Sequence, residues 1–180
     1  MENRSKYSTG IKFGLMIGLV YIILLFLRYN FFGKNPLIFG IFAIVSYLII
    51  LVFYLFAGIA RRKEQGGFAK FQEIFQTIFI AIVITEIVYV LFNFVYLKYI
   101  DPSFFDSLKE ATRSMMEKAG ATQEQIDKQL DNFKDVDAQL KPLKLLQGIA
   151  IWIVVDSLFG MIYAAILRKK KDLFEENQIQ

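Results

Sequence analysis

Four apolar runs divide this chain, and each is close to the length that crosses a lipid bilayer. They span residues 11–27, 37–60, 74–97 and 145–167. A hydrocarbon core of about 30 Å needs about 20 helical residues, because an α-helix rises about 1.5 Å per residue. We therefore predict an all-α integral membrane protein, an antiparallel four-helix transmembrane bundle, and treat residues 1–180 as one membrane domain.

Basic residues lie beside the predicted spans in an order that predicts the topology. They cluster in residues 4–12, 61–70 and 168–171, whereas residues 98–144 hold 8 basic and 9 acidic residues. Because Lys and Arg near span ends prefer the cytoplasmic side, both termini are predicted to be cytoplasmic and the long loop to lie outside. A site for anionic lipid or ligand is the alternative explanation of the basic clusters.

The loop of residues 98–144 is predicted to be an extracytoplasmic helical hairpin. Asp101-Pro102 is typical of a helix start, and Thr122 with a glutamine three residues later predicts a capping box. Each helix carries an apolar stripe that must be covered. The two stripes either cover each other, lie on the membrane surface, or bind a protein partner through residues 103–140.

Small residues repeat every four positions on two of the spans. Gly10, Gly14 and Gly18 share one face of the first span, and Gly148 and Gly160 share one face of the fourth. Helices in lipid pack closely through such residues. We assign these glycines to helix packing within the bundle, while a homo-oligomer contact stays an open alternative.

Two carboxylic residues interrupt the apolar runs close to mid-depth. Glu86 lies near the middle of the third span and Asp156 near the middle of the fourth. Burying a charge there costs about 2.5–3.5 kcal/mol on insertion scales, so both are expected to face protein. Tyr89 and Asn93 share the helical face of Glu86, and Ser46 offers a hydroxyl on the second span. These five residues are the predicted intramembrane polar site.

The sequence places no basic residue at the depth of these acids. Lys12 and Arg28 lie near the ends of the first span. Because burial without a countercharge favours a neutral acid, we expect at least one of the two carboxyl groups to be protonated at neutral pH. Two interpretations of the acids remain: they are protonated and hydrogen-bond the spans together, or they form a proton or cation relay.

Several chemistries are absent from the sequence. It has no Cys and no His, which excludes disulfides, the usual zinc sites and His-based acid–base catalysis. It also lacks a phosphate-binding loop, a serine-centred elbow and any nucleic-acid-binding motif. We expect no metal and no cofactor, and the sequence argues against an enzyme.

Several segments together resemble a known family. They are the connection "GIARRKEQGGFAKFQEIF", the exit "NFVYLKYIDPSFF" from the third span, and the close "AAILRKKK" of the fourth. With four spans and a charged helical loop, they are similar to domain-of-unknown-function family 4199, small membrane proteins found mainly in Bacteroidetes. The resemblance covers roughly residues 8 to 171. It implies a multi-pass protein of the bacterial inner membrane, and it implies no activity or site residue.

From these observations we expect a non-enzymatic membrane component that binds a partner or lipid. The alternative is a small proton- or cation-coupled transporter, or a subunit of one, that uses Glu86 and Asp156.

Overall fold

The computed structural model describes residues 2–133 and 140–169. Residues 134–139 of the predicted hairpin and the basic residues Lys170 and Lys171 lie outside the described residues. The α-helices of the described part are α1 (Glu2–Phe32), α2 (Pro36–Glu64), α3 (Phe71–Val95), α4 (Phe104–Lys118), α5 (Gln123–Leu130) and α6 (Pro142–Leu167). A π-helical segment, Tyr96–Ile100, extends α3, and a short 3₁₀ turn, Asp131–Phe133, follows α5.

Four of these helices are long and apolar enough to cross a membrane. They are α1, α2, α3 with its π-helical extension, and α6, and each predicted apolar run lies inside one of them. Their outward faces carry exposed aliphatic side chains, among them Leu15, Leu19, Leu48, Leu91, Val154 and Ile166. Water would not stabilise such surfaces, whereas lipid tails would. The predicted fold class, a helical bundle membrane protein, is confirmed.

The third helix is the centre of the bundle. It packs against α1, α2 and α6, and its most extensive contact is with α1. A Cβ atom at Gly10 would meet Ile80 of α3, whereas one at Gly18 would meet Val88. Since residue numbers rise together along this contact, α1 and α3 run in the same direction. Consecutive spans still alternate in direction, so the largest interface joins two parallel helices.

Local sequence signals set the ends of α2. The side chain of Asn35 accepts hydrogen bonds from the backbone N–H groups of Leu37 and Ile38, and Pro36 takes the first helical position. Gly66 and Gly67 follow the helix with φ angles of 67° and 91°, which a residue with a Cβ adopts only with strain. The chain thus reverses tightly between α2 and α3.

The start of the hairpin differs from the prediction. Asp101-Pro102 does not begin the helix, because α4 starts at Phe104. Instead Asp101 shapes the preceding turn: its side chain accepts a hydrogen bond from the hydroxyl of Ser103, and its carbonyl accepts one from the N–H of Phe104. The capping box of Thr122 at the start of α5 is present as predicted.

The hairpin rests on one end of the bundle. Phe104 and Leu108 of α4 are buried in one cluster with Tyr29 of α1 and with Tyr96 and Leu97 at the end of α3. The ring of Phe104 meets that of Tyr29 edge-on, with 4.8 Å between ring centres. The first half of the apolar stripe of α4 is therefore covered by the bundle, whereas Met115, further along the helix, is exposed.

Candidate functional site

The two intramembrane acids are neighbours. Glu86 of α3 is 5% exposed and Asp156 of α6 is fully buried. Tyr47 of α2 links their positions, since its hydroxyl bonds Asp156 and it lines one cavity with Glu86. Close helix packing explains their proximity, since a Cβ at Gly160, one turn beyond Asp156, would lie 3.1 Å from Ile78 of α3.

A tyrosine of α2 contacts Asp156. The hydroxyl of Tyr47 donates a hydrogen bond of 2.7 Å to Oδ1 of Asp156. Tyr54, two turns further along the same helix, is fully buried. Among the described residues, however, neither its hydroxyl nor Oδ2 of Asp156 completes a hydrogen bond of ordinary geometry. Ionising both buried carboxyl groups with so few donors would cost free energy, which is the physical basis for the expectation that one of them is protonated.

The remaining predicted site residues do not all join this pair. Asn93 accepts a hydrogen bond from the hydroxyl of Tyr29 and donates one of 2.8 Å to the carbonyl of Tyr89. Ser46 donates to the carbonyl of Phe42 in its own helix, at 2.7 Å. Tyr89, in contrast, lines a cavity together with Glu86.

That small space, which we call the acid cavity, has a volume of about 180 Å³. Glu86 lines it, and each of the four long helices contributes one aromatic ring to its wall. The rings form two pairs: Tyr21 stacks on Tyr89 with 4.7 Å between centres, and Tyr47 lies 5.7 Å from Trp152. The lining residues are Tyr21, Arg28, Ala43, Tyr47, Glu86, Tyr89 and Trp152.

A larger space adjoins the acid cavity, and we call it the cationic cleft. Its volume is about 500 Å³, and Arg28, Tyr89 and Trp152 line both spaces. Lys144, near the start of α6, supplies a second positive charge. The other walls are mainly apolar, with Phe39, Leu97, Phe105, Leu145 and Ile151 among them.

The cleft exists because α2 and α6 separate toward the hairpin end of the bundle. The two helices touch where Tyr47 meets Trp152 and again where Gly58 meets Leu167. Beyond that contact the gap between them is open, since a Cβ at Gly148 would meet no atom within 4 Å.

The side chain of Arg28 lies closer to the acids than the sequence suggests. The sequence places it at the end of the first span, away from the acids, yet its side chain lines the same cavity as Glu86. Helical side chains point back toward the N-terminus, which here directs Arg28 into the bundle. Its Nε donates to the carbonyl of Phe39 at 3.2 Å, and the guanidinium lies 3.8 Å from the centre of that ring.

The predicted packing glycines also divide into two groups. Gly10, Gly14, Gly18 and Gly160 all lie against α3. Gly148 has no neighbour at its Cβ position and lines the cationic cleft instead, because α2 and α6 have already separated at that level.

Sequence reasoning missed Tyr21, Tyr47, Trp152 and Arg28 as parts of one site. They come from three separate helices, α1, α2 and α6, and only the packing of the bundle brings them together. Within the described part of the chain, no group of three or more acidic residues is placed to hold a metal ion.

Comparison with known proteins gives a family without an assigned activity. A family model described as "Protein of unknown function (DUF4199)" matches residues 12–169, which is most of the chain. The chain belongs to this family. The matched region includes both Glu86 and Asp156. The chain matches no curated protein and no solved structure.

Proposed function

We propose that the protein is a non-enzymatic membrane component that binds a lipid-like amphiphile in the cationic cleft. The observation that carries this proposal is the cleft itself, a half-open space of about 500 Å³ with apolar walls and two basic side chains. Sites for small molecules are commonly concave and apolar, with a few polar groups that fix orientation.

The charges of the cleft favour an anionic group on the ligand. Arg28 is half-buried, and Lys144 lies at the edge where α6 begins. A planar guanidinium suits the oxygens of a phosphate or carboxylate, and an ammonium adds a second positive charge. The gap beside Gly148 gives an alkyl chain a route between α2 and α6 toward the lipid.

Lipid retention tests this proposal. The wild-type protein and the variant Arg28→Gln/Lys144→Gln are purified in mild detergent, and native mass spectrometry measures the retained phospholipid. We expect the wild type to retain bound phospholipid and the double variant to lose most of it. Lys118→Gln, at an exposed position on α4, is the matched control. Equal retention by all three proteins would reject the cleft as a lipid site.

A second candidate is a proton- or cation-coupled transporter, or a subunit of one. The position of Glu86 and Asp156 around Tyr47 favours it, because paired acids at mid-depth are typical of proton pathways. Glu86→Gln/Asp156→Asn keeps hydrogen-bonding groups and removes titration. If the folded double variant and the wild type give the same proton flux in proteoliposomes, the relay has no support.

A protein partner for residues 103–140 and a homo-oligomer have less support. The apolar side chains Phe104, Leu108, Ile126 and Leu130 are all buried within the chain. The glycine face of α1 is used against α3. A partner would contact the polar faces of α4 and α5 and the exposed Met115. Crosslinking in native membranes with and without this hairpin would find it.

We also propose a bacterial inner-membrane location with both termini in the cytoplasm and the hairpin outside. The basic connection between α2 and α3 supports this orientation, since Arg61, Arg62, Lys63 and Lys70 all lie there.

A further inference from the structure

The acid cavity differs from the cationic cleft in the chemistry of its wall. Four aromatic rings, one from each long helix, surround a space that Glu86 borders. Tyr21 stacks on Tyr89 on one side, and Tyr47 lies against Trp152 on the other. Aromatic rings attract ammonium groups through their negative faces, most strongly where water is excluded. Tyr47 and Trp152 are tilted by 60° to each other rather than stacked, whereas Tyr21 and Tyr89 each cover one face of the other.

The charges along the two adjoining spaces have opposite signs. Arg28 and Lys144 are positive in the cleft, whereas Glu86 lies in the acid cavity with Asp156 behind it. When the two acids share one proton, the pair keeps one negative charge. Arg28 lines both spaces, so a molecule that fills them meets a positive group and a negative one in succession.

From this arrangement we infer that the ligand of the cleft is a zwitterionic amphiphile. Its ammonium group lies among the four rings against Glu86, its anionic group lies at Arg28 and Lys144, and its apolar part leaves through the gap beside Gly148. This inference rests on the proposed lipid-binding function and adds the second charged group. An ammonium alone would be repelled by Arg28, and an anion alone would bring no positive group to the acid pair.

The single tryptophan of the chain makes binding directly measurable. Trp152 lines both spaces, so a ligand in either one changes its fluorescence, excited where tyrosine does not absorb. Three probes with the same chain length separate the charges: octylphosphocholine is zwitterionic, octyl phosphate is anionic and octyltrimethylammonium is cationic. Each is titrated below its micelle concentration into protein purified in a maltoside detergent.

We expect octylphosphocholine to bind the wild-type protein about tenfold more tightly than either singly charged probe. In Glu86→Gln, octylphosphocholine should bind no more tightly than octyl phosphate. In Arg28→Gln, octylphosphocholine should bind no more tightly than octyltrimethylammonium. Glu117→Gln, at an exposed position on α4, should change neither preference. The comparison of probes on the unchanged protein keeps the test valid if a variant fails to fold.

The outcomes separate this inference from the function on which it rests. If octyl phosphate binds as tightly as octylphosphocholine and only Arg28→Gln weakens both, the ammonium site is rejected and the cleft proposal stands. If octyltrimethylammonium binds as tightly and Arg28→Gln changes nothing, both proposals are rejected. Both are also rejected if no probe alters the fluorescence of Trp152.

Discussion

Tyr47 on α2 donates a hydrogen bond of 2.7 Å to Oδ1 of Asp156 on α6. This bond crosses between two helices and satisfies one oxygen of an acid that is fully buried. Tyr47→Phe would leave that oxygen without its donor while keeping the ring. Because an unsatisfied buried polar group costs about 1–3 kcal/mol, we expect a loss of unfolding free energy of that size.

Equilibrium unfolding in mixed micelles of maltoside and dodecyl sulfate measures this loss. Tyr99→Phe is the control, since Tyr99 is 67% exposed. A loss no larger than that of the control would mean that the hydrogen bond contributes nothing to the bundle.

The contact between α1 and α3 gives a second prediction. A Cβ atom at Gly14 would lie 2.8 Å from Cβ of Ile84 and 3.1 Å from Cα of Ala81, which is closer than packed carbons approach. Gly14→Ala should therefore force the helices apart and cost roughly 1–3 kcal/mol in the same unfolding assay. Gly40→Ala is the matched control, because a Cβ there meets no atom within 4 Å. Equal stability of both variants would contradict the close packing.

Much of the architecture follows from the sequence, because a lipid bilayer limits the length and polarity of the helices that cross it. Length and apolarity predict the four spans, and the cost of a buried charge predicts that Glu86 and Asp156 face protein. Their proximity could not be predicted, since it depends on which helices are neighbours and on their rotation. The cavity around them was missed for the same reason: its rings come from four separate helices, and Arg28 reaches it only through its side-chain direction.

The packing of the hairpin against the bundle gives a third prediction. Phe104 is buried, and its ring centre lies 5.5 Å from that of Phe39 in addition to its contact with Tyr29. Burial of such a ring is worth about 3–5 kcal/mol when it is replaced by alanine. Phe104→Ala should therefore release α4 and α5 while the four spans stay assembled.

Hydrogen exchange with mass spectrometry detects that release as faster exchange of the α4 and α5 amides. Phe31→Ala, at a position that is 68% exposed, is the control. Unchanged exchange in α4 would show that the hairpin is held by other contacts.

The proposed orientation gives a fourth prediction. The chain has no native Cys, so single cysteines report topology without background. With an impermeant maleimide added to intact cells whose outer membrane is permeable to it, Ala119→Cys in the hairpin should react. Ser8→Cys and Gln65→Cys should react only after lysis. The reverse pattern would invert the orientation.

The parallel contact of α1 with α3 has a consequence for biosynthesis. The hydroxyl of Thr85 donates to the carbonyl of Gly14, 71 positions earlier in the chain. The first span thus enters the bilayer well before the ribosome has made the surface that its glycines fit. Until α3 is inserted, α1 has only α2 beside it, and its glycine face is exposed to lipid. The fold is therefore completed only after the third span has entered the bilayer.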